Sequence, residues 1–176
     1  LTSELECEQT WSQRVPYGVT GGIVAWNFPL ALTTRKFGNA LVCGNSMIIK
    51  PPSETPLTVM RLAEIISQES SLPSGVLNFI TGSGRVVGDA LVRNDTTRLV
   101  TLTGSTGAGI EVFRTAAEHC VEVHLELGGK APFIVMNDAD IDKLLRQRLF
   151  PVFLIADRFV PVMRGCIFMK KFMISL

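Results

Sequence analysis

Five short apolar runs, at residues 23–26, 47–49, 76–80, 99–102 and 121–127, punctuate the first part of the chain. Each is separated from the next by a turn rich in glycine, proline or serine and then by a stretch with apolar residues at helical spacing. Leu32, Phe37, Ala40 and Leu41 mark the first such stretch, which Gly44 and Asn45 end. Leu57, Met60, Leu62, Ala63 and Ile66 mark the second, after a stiff turn over residues 51–56. Shorter and longer helices are expected over residues 86–92 and 108–118. Strands alternating with helices in this way specify an α/β fold: a parallel, doubly wound, five-stranded sheet with crossover helices on both faces. A sixth strand is expected over residues 131–136, and Asp138, Ala139 and Asp140 should cap a helix beginning near Ile141.

Composition narrows the function classes. Apolar residues make up 47% of the chain and the net charge is +1, so this is an ordinary globular composition with no basic surface for nucleic acid. Cys7, Cys43, Cys120 and Cys166 have neither disulfide-framework nor metal-ligand spacing, and His119 and His124 add none. Scattered single cysteines suggest a reducing, cytoplasmic setting. The longest apolar run, residues 149–162, is broken by Pro151, Asp157, Arg158 and Pro161, so no membrane span is expected.

In a sheet of this kind ligands gather at the C-terminal ends of the strands, and the residues there carry chemistry. Asn27 follows the first run; its amide can donate to a developing oxyanion, or it can cap the next helix. Lys50 closes the second and can reach a ribose or phosphate, or simply sit solvated in a loop. Gly82 and Gly84 form a glycine loop after the third, without a complete GxGxxG pattern. Gly104 and Ser105 precede a helix whose free N–H groups favour an anion. Glu126 lies inside the fifth run. As a buried carboxylate it should feel desolvation, which raises a pKa towards general-base duty; the plainer reading is a strand-end glutamate paired with a lysine. Gly128 and Gly129 follow as a turn expected to bring the backbone close to another group.

The strings GVTGGIVAWNFPL, KPPSETP, GVLNFITGSG, TLTGSTGAG and LELGGKAPFIVMNDADID, in this order over residues 15–143, together resemble the aldehyde dehydrogenase superfamily. The resemblance implies a Rossmann-like dinucleotide-binding domain over residues 15–127, the start of a catalytic domain over 128–143, NAD or NADP as cofactor, and a small aldehyde as substrate. It makes Asn27 the oxyanion-hole amide and Glu126 the base that activates a deacylating water. Lys50 would bind the adenosine ribose, Gly82 and Gly84 would border it, and Gly104 and Ser105 would meet the pyrophosphate. Trp26, Leu127 and Gly128 would lie along the cofactor. Members preferring NAD often place an acid three residues after the lysine. Here that position is Ser53 and the acid follows at Glu54, which leaves room for a 2′-phosphate and favours NADP slightly.

The resemblance implies a nucleophilic cysteine in a GQxC-type motif downstream, and this sequence has none; Cys166 sits in Arg-Gly-Cys-Ile. Residues 1–14 are an unmatched arm, loose or a strand remnant. Residues 144–176 are either a divergent tail or a segment read in the wrong frame. A one-base shift allows residues 144–148 to encode AVEAA, 154–167 to encode NCGQVCTCNERMY and 168–172 to encode HEKIY. That reconstruction looks like members acting on lactaldehyde or glycolaldehyde. On this reading the chain is an internal fragment without the thiol or the oligomerisation strand of a usually homo-oligomeric family. It would be inactive, with at most weak dinucleotide binding, and its tail would not pack on the sheet.

Overall fold

The computed structural model describes residues 3–5, 8–129, 133–136, 138–144 and 166–168. Strands β1 (Ser3–Leu5) and β2 (Glu8–Thr10) form an antiparallel pair by themselves, Ser3 opposite Thr10. Thus the polar arm contains a hairpin that its sequence did not announce.

The main sheet contains β3 (Val19–Ile23), β4 (Ser46–Lys50), β5 (Leu77–Phe79), β6 (Thr97–Gly104) and β7 (Glu122–Leu127). Its order is β5-β4-β3-β6-β7, and every pairing is parallel. The chain runs outward from β3 through β4 to β5, returns to lay β6 on the other side of β3, and ends at β7. Strand order therefore reverses between β3 and β6, the switch point at which doubly wound sheets open a crevice. Helices α1 (Pro29–Val42) and α2 (Leu57–Glu69) connect the first three strands. A π-helical turn over Gly84–Gly88 runs into α3 (Asp89–Arg93), and α4 (Thr106–His119) joins β6 to β7.

Side-chain alternation builds a separate core on each face. Met47 and Ile49 of β4 join Val24 and Val59, with Leu32, Phe37 and Ala40 of α1 packed against them. On the other face Val100 and Leu102 of β6 join Ile23, Leu91, Val92 and Ala116, so α3 and α4 cover that side, and Ile48 points there too.

Two expectations need correction. The first strand is Val19–Ile23, not residues 23–26. It runs through Gly21 and Gly22 because neighbours fill the space on both sides. A Cβ on Gly21 would lie 2.8 Å from Leu91 Cδ2, and one on Gly22 would lie 2.6 Å from Ile49 Cδ1. The apolar Val24-Ala25-Trp26 step instead leaves the sheet, and Trp26 ends half exposed. Nor is β7 a buried strand. It is an edge strand, exposed at Glu122, His124 and Glu126, because α1 and α2 cover β3, β4 and β5 but stop short of it.

Strand β8 (Phe133–Val135) pairs in parallel with β9 (Cys166–Phe168), apart from the main sheet. Helix α5 (Ile141–Leu144) begins where expected, and the Asp140 carboxylate accepts a hydrogen bond from the Lys143 backbone N–H at 3.0 Å. Apart from β9, the expectations for residues 145–176 fall outside the described residues.

Candidate active site

Parallel register places the expected site residues along one edge. Ile23 stands opposite both Lys50 and Leu102, Thr103 opposite Glu126, and Gly104 opposite Leu127. Beyond that line lie the loops carrying Trp26 and Asn27, Ser53 and Glu54, and Gly82 and Gly84.

Hydrogen bonds tie these loops together. The Val24 backbone N–H donates to the Lys50 carbonyl at 3.2 Å, the Thr55 hydroxyl donates to the Trp26 carbonyl at 3.0 Å, and the Ser53 hydroxyl donates to the Gly82 carbonyl at 3.3 Å. Gly82 has φ +143°, and a Cβ there would strike the Val87 side chain, so this turn admits no larger residue without shifting. Asn27 is buried in the bend before α1. The N-cap position of that helix is Phe28, one residue after Asn27. Lys50 is buried at the end of β4, and burial lowers its pKa against the opposing charge of Glu54. Ser105 caps α4: its hydroxyl accepts from the Ala108 N–H at 3.2 Å. Gly109 lets the first turn of that helix press on Leu127, since a Cβ there would come within 2.6 Å of Leu127 Cδ2.

Other expectations meet a different structure. Glu126 is exposed rather than buried: the edge position of β7 leaves that face uncovered. A Cβ added at Gly128 or Gly129 would meet nothing within 4 Å among the described residues. Ser53 and Glu54 are also exposed.

The sequence reading overlooked Lys36. It lies on the sheet side of α1, 9% exposed, and its ammonium donates to the Thr101 hydroxyl of β6 at 2.9 Å. Its alkyl stem crosses β3 at Gly22, where a Cβ would lie 3.4 Å from Lys36 Cδ. Burial lowers its pKa to about 8; the charge of Glu126 opposes that shift and Arg35 adds to it. Lys36 and Glu126 line one open cavity of about 650 Å³ between α1 and the uncovered face of β6 and β7, together with Thr101, Thr103 and His124. Glu126 is the one expected site residue on that lining. The others lie along the edge. The available signal was a lysine at the i+4 position between Leu32 and Ala40, on the apolar stripe of an amphipathic helix.

Among the described residues no helix is long and apolar enough to cross a membrane, and no group of three or more His, Cys, Asp or Glu could hold a metal ion. The profile of the aldehyde dehydrogenase family matches residues 2–157. The chain belongs to this family. As an aldehyde dehydrogenase chain it is 49% identical over 136 residues to the 3,6-anhydro-alpha-L-galactose dehydrogenase of Vibrio sp. (strain EJY3), covering 77% of this chain and 28% of that one. It is 46% identical over 134 residues to the NADP(+) succinate-semialdehyde dehydrogenase of Escherichia coli (strain K12), covering 76% and 28%. The NAD+ complex of an aldehyde dehydrogenase from Bacillus cereus superposes with a TM-score of 0.85 at 34% identity, covering 90% of this chain and 32% of that one. The chain thus spans between a quarter and a third of the length of these relatives. The family match also takes in residues 2–14 of the arm and residues 144–157 beyond Lys143.

Proposed function

We propose that this chain supplies the dinucleotide-binding part of an NAD(P)-dependent aldehyde dehydrogenase. The supporting observation is the strand register, which lines up Lys50, Gly104 and Leu127 at one edge beside the tied loops of Trp26, Ser53 and Gly82. These residues fit a dinucleotide. Gly82 turns where no side chain fits, Lys50 offers a cation at a strand end, and the Ser105-capped start of α4 offers N–H groups to a pyrophosphate. Glu54 and Ser53 would face the ribose, and Gly84 and Gly128, open on their sides, would leave room along the cofactor. When bound, the dinucleotide supplies a hydride acceptor.

Asn27 would donate its amide to the carbonyl oxygen of an aldehyde as negative charge develops there. Glu126 would take the proton of a water attacking an acyl intermediate. It is exposed and lines the same cavity as Lys36, so a water in that cavity could reach it. Titrating the chain with NADP and NAD while following tryptophan fluorescence tests the binding reading. Saturable quenching by either cofactor is expected; flat curves for both up to millimolar concentration would remove it.

A second reading follows from the absent GQxC motif. The chain would be a non-catalytic remnant whose residues after Lys143 are read out of frame. Dehydrogenase and esterase assays on the chain beside a frame-restored version separate the two, with activity expected only in the restored protein. Coding DNA that cannot spell GQVC in a shifted frame would end the frame argument.

A further inference from the structure

Lys36 presents an unusual combination. It is an amine buried against the sheet that still lines an open cavity of about 650 Å³, with a carboxylate, Glu126, on the same lining. We propose that Lys36 is a carbonyl-reactive lysine, one that condenses with small aldehydes entering this cavity to form a Schiff base, with Glu126 carrying the protons.

Three observations support it. First, the nitrogen is held beside the cavity: it donates at 2.9 Å to the hydroxyl of Thr101, itself a lining residue, and its stem lies over Gly22. Second, burial lowers its pKa to about 8, so a sizeable fraction is the neutral, nucleophilic amine near neutral pH. Third, the groups facing it match the reaction. Glu126 and His124 approach from β7, Arg35 from α1, and Arg14 and Tyr17 from the segment before β3, around an otherwise largely apolar space.

The chemistry balances without any redox partner. The nitrogen lone pair forms the C–N bond as the carbonyl π pair moves to oxygen. That oxygen gains one proton from the nitrogen and one from solvent, both relayed by Glu126, and leaves as water. The product is an iminium on Lys36. Neither a dinucleotide nor a thiol takes part, so this inference and the proposed function can fail separately.

The test is reductive alkylation of the full chain with propanal and cyanoborohydride, read lysine by lysine by peptide mass spectrometry. Two comparators lie in the same molecule. Lys143 is exposed, whereas Lys50 is buried with a lowered pKa but is absent from the cavity lining. At pH 7.5 Lys36 should be alkylated about tenfold faster than Lys143 or more, because with a pKa of about 8 roughly a quarter of it is free amine, and its lower basicity offsets only part of that gain. Its rate should rise with pH through about 8 and level off only above that. Glu126→Gln should slow Lys36 and leave Lys143 unchanged. Alkylation of Lys143 at the rate of Lys36 would overturn the proposal, and so would equal alkylation of Lys50, since the cavity would then confer nothing. All comparisons in the unaltered chain are internal, so a variant that fails to fold does not blunt the test.

Discussion

Lys36 and Glu126 illustrate what single residues disclose. A glutamate inside an apolar run is conspicuous in a sequence, whereas a lysine among Thr34, Arg35 and Phe37 reads as an ordinary polar helix position. The structure reverses their environments, because what covers a side chain is decided by elements far away in the chain. The lowered pKa of Lys36 has a measurable consequence. Its folded value of about 8 lies below the unfolded 10.5, so between these the unfolded chain binds more protons and stability rises with pH. The gain should reach about 3 kcal/mol by pH 10.5. Denaturant midpoints of the wild type and Lys36→Met, compared at pH 7 and pH 9.5, check it. On going to the higher pH the difference should move in the wild type's favour, and a difference independent of pH would show that Lys36 titrates normally. Cofactor choice is also a residue-scale matter. Ser53→Glu would put a carboxylate beside any 2′-phosphate and should weaken NADP relative to NAD by about 1–3 kcal/mol. Parallel titrations with both cofactors measure that ratio, and an unchanged ratio would mean that position 53 does not face the ribose.

Elements were easier to read than their limits. Helix α2 begins at Leu57, where the apolar spacing begins, and β4 ends at Lys50 as the run Met47-Ile48-Ile49 implied. The slip at β3 has a physical origin: apolar character marks what is buried, and Val24 is buried just after the strand has ended. Gly21 and Gly22, which precede the expected run, are strand residues, because their missing side chains make room for Leu91 and Ile49. At α4 the local signal was sufficient. Ser105 sits before Thr106 and its hydroxyl accepts from the Ala108 N–H, satisfying a donor that the helix itself cannot. Ser105→Ala should therefore lower stability by about 1 kcal/mol. It should also weaken any dinucleotide whose pyrophosphate meets this helix end. Thermal denaturation with and without cofactor separates the two effects. A mutant as stable as the wild type would show that the cap bond contributes nothing in solution.

At the scale of the whole molecule, the parallel order could be read because helices between strands force crossovers, and crossovers force parallel neighbours. The openness of the β7 edge could not, since it depends on which strands α1 and α2 happen to cover. The same arrangement divides the interior. The sheet separates a core around Val59, Met47 and Ile49 from another around Val100, Leu102 and Val92, and no residue belongs to both. Val59 on α2 and Val100 on β6 are each 0% exposed. Truncating either to alanine removes two buried methyl groups and leaves a cavity, at a cost of about 2 kcal/mol each. With a sheet between them and no shared neighbours, the two losses should add to within about 0.5 kcal/mol if the chain unfolds as one unit. Urea unfolding of Val59→Ala, Val100→Ala and the double variant, followed by both tryptophan fluorescence and far-UV circular dichroism, decides the matter. Coincident transitions with additive losses are expected. Two separated transitions, each moved by only one substitution, would instead mean that the faces of this sheet melt independently and that the chain needs further protein to hold them together.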